Sequence, residues 1–505
     1  MRRSVLLLLC PLLLATLSSA CGDDDGSGPA ESTPTPTAAN SPSLSGAPPT
    51  DRLTAGPVFT GAAANDALAS IATGDFNADG IPDLALGAAF ADTPGGEDAG
   101  SVYVFLGLLA DGAEEISVEG ADMVLTGVVG EQAGRSLASG DITGDGIDDL
   151  VIGAPAAGGG RVYLIVGAGT LGEIPAVALG DSQLLVSGLD DGAFLGFTTE
   201  VGDFDGDGTD DLAAGALLAD GPDGGREDAG AVHIFYGPPG PAADATLHGA
   251  EAGDRLGETL AVTDFNGDGR VDLVAVATFG DGPGNSREDA GETYVFTSVL
   301  VGEIDMADSA PPVTIFGIDP GDQLGHSAAG LDFNGDSYDD LVLGAVSADG
   351  PDNLQNISGE VALVFGSAAP PETIDASSGD VPVLTGLPQS RLGRTVAAGD
   401  LDGDGYDDAL LVASDAPDNA GTPGTGAVYI MRGGPDGSFP ERVEGVEVVY
   451  GRAAGDNLGG QVHGTPPILT LDLNGDGLDD IAVAAARASE ARGEVLVLYA
   501  KPESP

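Results

Sequence analysis

The chain repeats one acidic pattern seven times: Asp-x-(Asp/Asn/Thr)-x-Asp-(Gly)-x-x-Asp. Positions 1, 3, 5 and 9 offer side-chain oxygens, and position 7 offers a backbone carbonyl. The candidate ligands of the first loop are Asp75, Asn77, Asp79, Ile81 and Asp83, and those of the second Asp141, Thr143, Asp145, Ile147 and Asp149. The third has Asp203, Asp205, Asp207, Thr209 and Asp211, and the fourth Asp264, Asn266, Asp268, Arg270 and Asp272. The fifth has Asp332, Asn334, Asp336, Tyr338 and Asp340, the sixth Asp400, Asp402, Asp404, Tyr406 and Asp408, and the seventh Asp472, Asn474, Asp476, Leu478 and Asp480. Five oxygens, completed by a bidentate carboxylate or water, reach the roughly six to eight that Ca²⁺ takes; Mg²⁺ demands a tighter octahedron. Without Cys or His among the ligands, Zn²⁺ and copper are disfavoured. The expectation is up to seven Ca²⁺. Loops three and six, with Asp at position 3, should bind tightest and loop two, with Thr143, more weakly. Gly at position 6 permits positive φ; in loop five Ser337 must take up that turn. The pattern is not an EF-hand, whose last acid comes at position 12 between two helices. A single Asp/Asn/Gly loop would be explained as a good turn; repetition in register is not.

The elements that must position these loops repeat with them. Successive loops start 66, 62, 61, 68, 68 and 72 residues apart. Each unit reads as a short strand ending in Gly (Val124-Leu125-Thr126-Gly127), a turn (Gly321 to Gly325) and a small-residue strand entering the acidic loop. An apolar strand leaves the loop (Asp149 to Gly153), and after a polar connection comes a further strand (Gly100 to Phe105). Four strands per unit, repeated, bury their faces by stacking around an axis. The expected fold is all-β: a seven-bladed β-propeller of four-stranded blades. The phase of the repeat predicts that the Gly56 to Gly61 strand completes the last blade and closes the ring, removing an open edge; the alternative is seven self-contained blades.

Composition narrows the partners. The 505 residues carry a formal charge of −64, with 82 Gly, 33 Pro and no Trp. Nucleic acid is excluded as a partner because phosphate contact needs Lys and Arg, and adsorption to anionic lipid is disfavoured. Arg2 and Arg3 followed by a mostly apolar Val5 to Leu17 read as an export signal, too short to span a bilayer. Ser18-Ser19-Ala20-Cys21 resembles a lipobox, with Ser18 where such boxes carry Leu; Cys21 is the expected lipidation site, against cleavage after Ala20 as an ordinary signal. The expected organisation is a signal peptide over 1–20, a lipidated, Ser/Thr/Pro-rich and disordered tether over 21–52, and the propeller over 53–505. Removing 1–20 takes away Arg2 and Arg3 and no acid, which leaves −66. Any membrane attachment is through the lipid alone.

These motifs resemble the FG-GAP repeat family, best known from the N-terminal propellers of integrin α subunits, from Leu53 to Tyr499. Gly153-Ala154-Pro155 carries the Gly-Ala-Pro motif intact, and Gly87-Ala88, Gly215-Ala216 and Gly344-Ala345 carry it in part; Leu-Gly stands for Phe-Gly at Leu195-Gly196, Leu256-Gly257, Leu324-Gly325, Leu392-Gly393 and Leu458-Gly459. The resemblance implies ligand binding on the face away from the acidic loops. A second recurrence lies there, Asp220-Gly221-Pro222 with Arg226 to Gly230 and Asp281-Gly282-Pro283 with Arg287 to Gly291. It reads as a stereotyped turn with an Arg–acid pair, or as part of a binding face. His233 and His248 read as structural, while His326 stands at a varied position near the ring entrance; His463 has no counterpart. The residues suggest no nucleophile with its base. The expected function is a monomeric, exported propeller binding a protein or glycan at a cell surface. The alternative is a Ca²⁺-dependent carbohydrate-active or phosphoester-cleaving enzyme.

Overall fold

The computed structural model describes residues 52–107, 115–156, 158–172, 175–180, 183–188, 192–222, 224–309, 311–460, 467–488 and 492–501. Cys21, the signal and tether, and His463 lie outside the described residues. Seven antiparallel sheets form seven blades. Their innermost strands are Leu68–Gly74, Ser136–Gly140, Leu195–Gly202, Leu256–Thr263, Leu324–Leu331, Leu392–Gly399 and Ile468–Leu471. Each inner strand contacts that of the next blade, and blade seven contacts blade one, so the ring is closed. Closure uses the N-terminal strand: Leu53–Thr60 pairs antiparallel with Glu494–Ala500, matching Phe59 to Val495 and Thr60 to Glu494.

The second strand of every blade is wholly buried, and each begins with the last aspartate of its acidic loop: Asp83–Ala88, Asp149–Ala154, Asp211–Ala216, Asp272–Ala277, Asp340–Ala345, Asp408–Ala413 and Asp480–Ala485. Burial on both faces explains their continuous apolar sequence. The core lies between blades. One cluster joins Phe59, Val495 and Val497 of blade seven to Leu84 and Leu86 of blade one; another joins Val102 and Val104 of blade one to Leu150 and Ile152 of blade two. Close approach needs glycine at one recurring point. A Cβ on Gly153 would lie 2.1 Å from the carbonyl oxygen of Gly196 in the next blade, so the glycines of the two family motifs pack backbone to backbone.

Two devices absent from the sequence reading join the blades. Inner-strand hydroxyls donate to carbonyls of the following blade: Ser136 Oγ to Gly196 at 3.0 Å, Thr198 Oγ1 to Gly257 at 2.9 Å and Ser327 Oγ to Gly393 at 3.0 Å. Four blades also gain a fifth, parallel strand from the next blade's connection. Glu115–Ser117 pairs with Leu53–Thr60, Ala176–Ala178 with Met123–Thr126, Gly302–Asp305 with Ala245–His248, and Thr373–Asp375 with Val313–Phe316. Blade three, whose connection is the short segment from Tyr236 to Asp244, sends no such strand to blade two.

Candidate metal loops

Each acidic loop joins the inner strand to the second strand, so the loops share one face of the ring. Position 2 is always large and apolar, and it plugs the core between a blade and the next. Phe76, Ile142, Phe204, Phe265, Phe333, Leu401 and Leu473 are all buried, Phe265 and Phe333 completely. Burying one such side chain is worth about 1.5–3 kcal/mol, so loop order and blade docking are coupled.

Backbone N–H groups then orient the carboxylates. The position-1 aspartate is the hub. Asp75 accepts from Asp79 N at 3.0 Å and Gly80 N at 2.9 Å; Asp472 accepts from Gly475, Asp476 and Gly477 N at 2.7, 3.0 and 2.8 Å. The position-5 carboxylate accepts from the position-7 N–H, as in Ile81 N to Asp79 at 2.9 Å. The position-9 aspartate bridges two segments: Asp83 accepts from Phe76 N at 3.0 Å and from Gly107 N, beyond the third strand, at 2.7 Å. Positions 4 and 6 adopt positive φ throughout. Ser337, at 69°, takes up the turn as expected, donating its N–H to Asp332 at 3.1 Å; Ala78, at 59°, does so at position 4 of loop one, where the other loops have Gly.

Position 8 was missed in the sequence. Asp148 accepts from Asp75 N at 2.8 Å, Asp210 from Asp141 N at 2.9 Å, Asp339 from Asp264 N at 2.8 Å, Asp407 from Asp332 N at 2.9 Å and Asp479 from Asp400 N at 3.0 Å. Each bond crosses from one blade's loop to the next. Four are returned by a backbone bond, for example Asp339 N to Asp264 O at 3.1 Å. Pro82 and Val271 break the series. The Asp-Asp doublet closing most loops was its visible trace.

The donor set fits a hard divalent cation. The position-9 aspartates are almost fully buried. Desolvation, opposed by backbone hydrogen bonds and reinforced by the carboxylates of the same loop, pushes Asp83 up to about 6 and Asp211 and Asp340 up to about 7. In Asp272 desolvation and then Asp268 raise it to about 7. Asp272 Oδ2, Asp340 Oδ2 and Asp402 Oδ1 are buried and accept no hydrogen bond. Dry, unpartnered carboxylate oxygens call for a proton or a cation. In loops three and six, oxygens of Asp203, Asp205 and Asp211, and of Asp400, Asp402 and Asp404, lie within 4.8 Å of one another.

Loop six differs from loop three in its counter-charges. Arg432 Nη1 lies 2.5 Å from Asp408 and 3.7 Å from Asp402, and Arg52 Nη1 lies 2.5 Å from Asp402. Guanidinium groups there already supply positive charge to two candidate ligands, Asp402 and Asp408.

The opposite face carries the second recurrence, resolved as a latch. Arg287 makes a bidentate pair with Asp375, at 2.9 and 2.8 Å, and Arg226 Nη2 lies 2.7 Å from Asp305. Both acids sit on the added parallel strands, so the arginine partner comes from the next blade. His248 joins the same system, 2.6 Å from Glu303, while half-buried His233 faces Thr246 Oγ1 at 3.3 Å. His326 Nε2 lies 3.3 Å from Arg394 at the mouth of the ring.

Fold and loops together define a seven-bladed β-propeller with an acidic loop in every blade. The FG-GAP repeat model matches seven times, over residues 67–105, 133–165, 195–235, 256–296, 324–363, 392–431 and 468–498. The chain belongs to the FG-GAP repeat family. It is 30% identical to integrin alpha-PS2 of Drosophila melanogaster over 234 residues, 43% of this chain and 15% of that protein. It is 29% identical to integrin alpha pat-2 of Caenorhabditis elegans over 264 residues, 49% of this chain and 19% of that one. It is 27% identical to the phosphatidylinositol-glycan-specific phospholipase D of Homo sapiens over 380 residues, 70% of this chain and 43% of the enzyme. The chain thus spans less than half the length of each of these relatives. No helix among the described residues is long and apolar enough to cross a membrane.

Proposed function

We propose that this chain is an exported, calcium-stabilised propeller, tethered through a lipid on Cys21, that binds a protein or glycan at a cell surface. The observation that carries the calcium reading is the set of buried, unpartnered carboxylate oxygens in in-register loops. Calcium here is a staple between blades: each loop it orders also plugs an inter-blade core, and five of the seven bond across to the next loop. It neutralises carboxylates in a chain whose formal charge of −64 opposes compaction. Extracellular modules bind Ca²⁺ at about 10⁻⁴–10⁻³ M, the affinity range proposed for these loops. Loop six departs most, because its cation competes with Arg432 and Arg52 at the buried side chains of Asp402 and Asp408; in loop four Arg270 lies 3.2 Å from the more exposed Asp268.

The binding role rests on the similarity to integrin α chains, and the face opposite the loops is the proposed contact surface. Labelled full-length protein in millimolar Ca²⁺ should bind cells saturably and lose binding in chelator. Absence of saturable binding to any cell or matrix preparation in Ca²⁺ would sink the adhesive role. The second reading, a Ca²⁺-dependent enzyme cleaving phosphoesters or carbohydrate, is favoured by the phospholipase D similarity over 70% of the chain. Chelator-sensitive turnover of a phosphodiester substrate by the purified protein would replace the binding reading with that one.

A further inference from the structure

Three equivalent positions in each blade face the mouth of the ring opposite the acidic loops. They are the residue before the Leu that opens the inner strand, the residue after the following Gly, and the second residue beyond the second strand. Blade six holds Arg391, Arg394 and Asp415 at these positions, and blade seven Asn457, Gly460 and Arg487. Arg394 is drawn below the usual arginine range, first by burial and then by the charge of Arg391, with Arg487 adding to it and Asp415 and Glu258 opposing it. Arg255, at the first position of blade four, and Arg394 both act on Glu258, which stands at the second position of blade four.

A chain with 81 acidic and 17 basic residues has carboxylates to spare for every arginine. Elsewhere it uses them: Arg226, Arg287, Arg432 and Arg452 are all in ion pairs. At the mouth, Arg391 pairs with Asp415 at 3.0 Å, but among the described residues Arg255, Arg394 and Arg487 form no ion pair. Like charges held together are destabilising, and the one ion pair at this cluster, Arg391 with Asp415, leaves Arg394 and Arg487 without one among the described residues. Beside it, Glu258 Oε2 is buried and accepts no hydrogen bond. The mouth thus holds more guanidinium groups than Asp415 and Glu258 answer, and Glu258 Oε2 is without a donor. Phe279 adds an aromatic surface, with the Arg255 guanidinium 4.6 Å from its ring centre.

We infer that this mouth binds the carboxylated terminal sugar of a glycan, its carboxylate held by Arg391, Arg394 and Arg487 and a neighbouring hydroxyl donating to Glu258. The inference deepens the binding function proposed above and rests on it. A terminal acid fits better than a polyanion, since the rest of the surface is strongly negative and repulsion is felt over about 8 Å at physiological salt. A sugar acid carries both groups on one ring, a carboxylate for the arginines and an adjacent hydroxyl for Glu258.

The test uses full-length protein in Ca²⁺, titrated by calorimetry with glucuronic acid and N-acetylneuraminic acid. Glucose is the neutral comparator, and an Asp-containing peptide with its Asn counterpart is a second arm. At least one sugar acid should bind tenfold or more tighter than glucose. Arg394→Gln should weaken it roughly tenfold to a hundredfold, the range of a charge-assisted pair. Arg487→Gln, at an exposed position, should weaken it several-fold with the thermal midpoint unchanged. Equal binding of glucose, wild-type affinity in both variants, or binding of the Asp peptide with both sugar acids silent would each overturn the site. Cell binding that survives Arg394→Gln would overturn it while leaving the adhesive role standing; loss of the adhesive role would show instead as wild-type protein that binds no cell.

Discussion

Arg432 makes loop six unlike the others, although its sequence offers the same number of carboxylates as loop three. The guanidinium pairs with Asp408 and with Glu447 at 3.1 Å. Counting acids ranks loops three and six together; geometry separates them. Arg432→Leu should leave Asp408 buried without its guanidinium partner, costing about 3–5 kcal/mol in chelator, and should recover most of that in Ca²⁺; with Arg52→Leu added to clear Asp402, the bound calcium should rise by one. Equilibrium dialysis and denaturant titration of the variants check both halves. A second residue-scale prediction concerns pH. Asp322, buried opposite the metal face, is pushed up to about 7 by desolvation and then by Glu360, which is itself raised to about 6, chiefly by desolvation. A carboxyl raised above its unfolded value of about 3.9 favours the folded state while protonated, and that contribution disappears as pH rises through 7. In saturating Ca²⁺, Asp322→Asn should therefore melt higher than the parent at pH 8 and close to it at pH 5. Parallel melting-versus-pH curves for the two proteins would show that Asp322 does not hold its proton.

At the scale of elements, the loops and the central blade strands were legible because their chemistry is local. Alternating Asp, Gly at the turn and an apolar run all lie within one stretch of sequence, and Ser337 could be assigned its positive φ in advance. The joints between blades were not legible. Asp148 serves Asp75 across 73 residues, and Arg287 serves Asp375 across 88. The added strands, such as Thr373–Asp375, are three or four residues long and carry no periodicity of their own. They become strands only because the outer edge of the neighbouring blade is there to pair with. The Arg226 and Arg287 turns thus read correctly as Arg–acid motifs but without their partner. Arg287→Ala removes a partly buried bidentate pair together with bonds to backbone carbonyls of residues 317 and 318. It should cost about 1–3 kcal/mol, measured as a lower unfolding midpoint with Ca²⁺ binding intact. Loss of Ca²⁺ binding in that variant would mean the two faces are more tightly coupled than the latch geometry implies.

The whole molecule is a closed ring without a cysteine in its described residues. Its closure rests on Leu53–Thr60 completing blade seven, on inner-strand hydroxyls and on acidic loops that plug each inter-blade core and at five joints bond across to the next loop. Stability is thereby divided among similar joints, and each loop's carboxylates repel one another by roughly 4 kcal/mol per close pair at an effective dielectric near 20. A ligand that binds only the folded state stabilises it by about 2.7 kcal/mol per site at a hundredfold excess over its dissociation constant, so several weak sites act together. The measurement that tests this most directly is calorimetric melting of the full chain in 5–10 mM Ca²⁺ (about five- to tenfold above the weaker module affinities) and again in chelator, with bound calcium counted in parallel. The account predicts several Ca²⁺ per chain and a midpoint that rises steadily with Ca²⁺ concentration. A midpoint unmoved by chelator, in protein shown to have released its calcium, would contradict it.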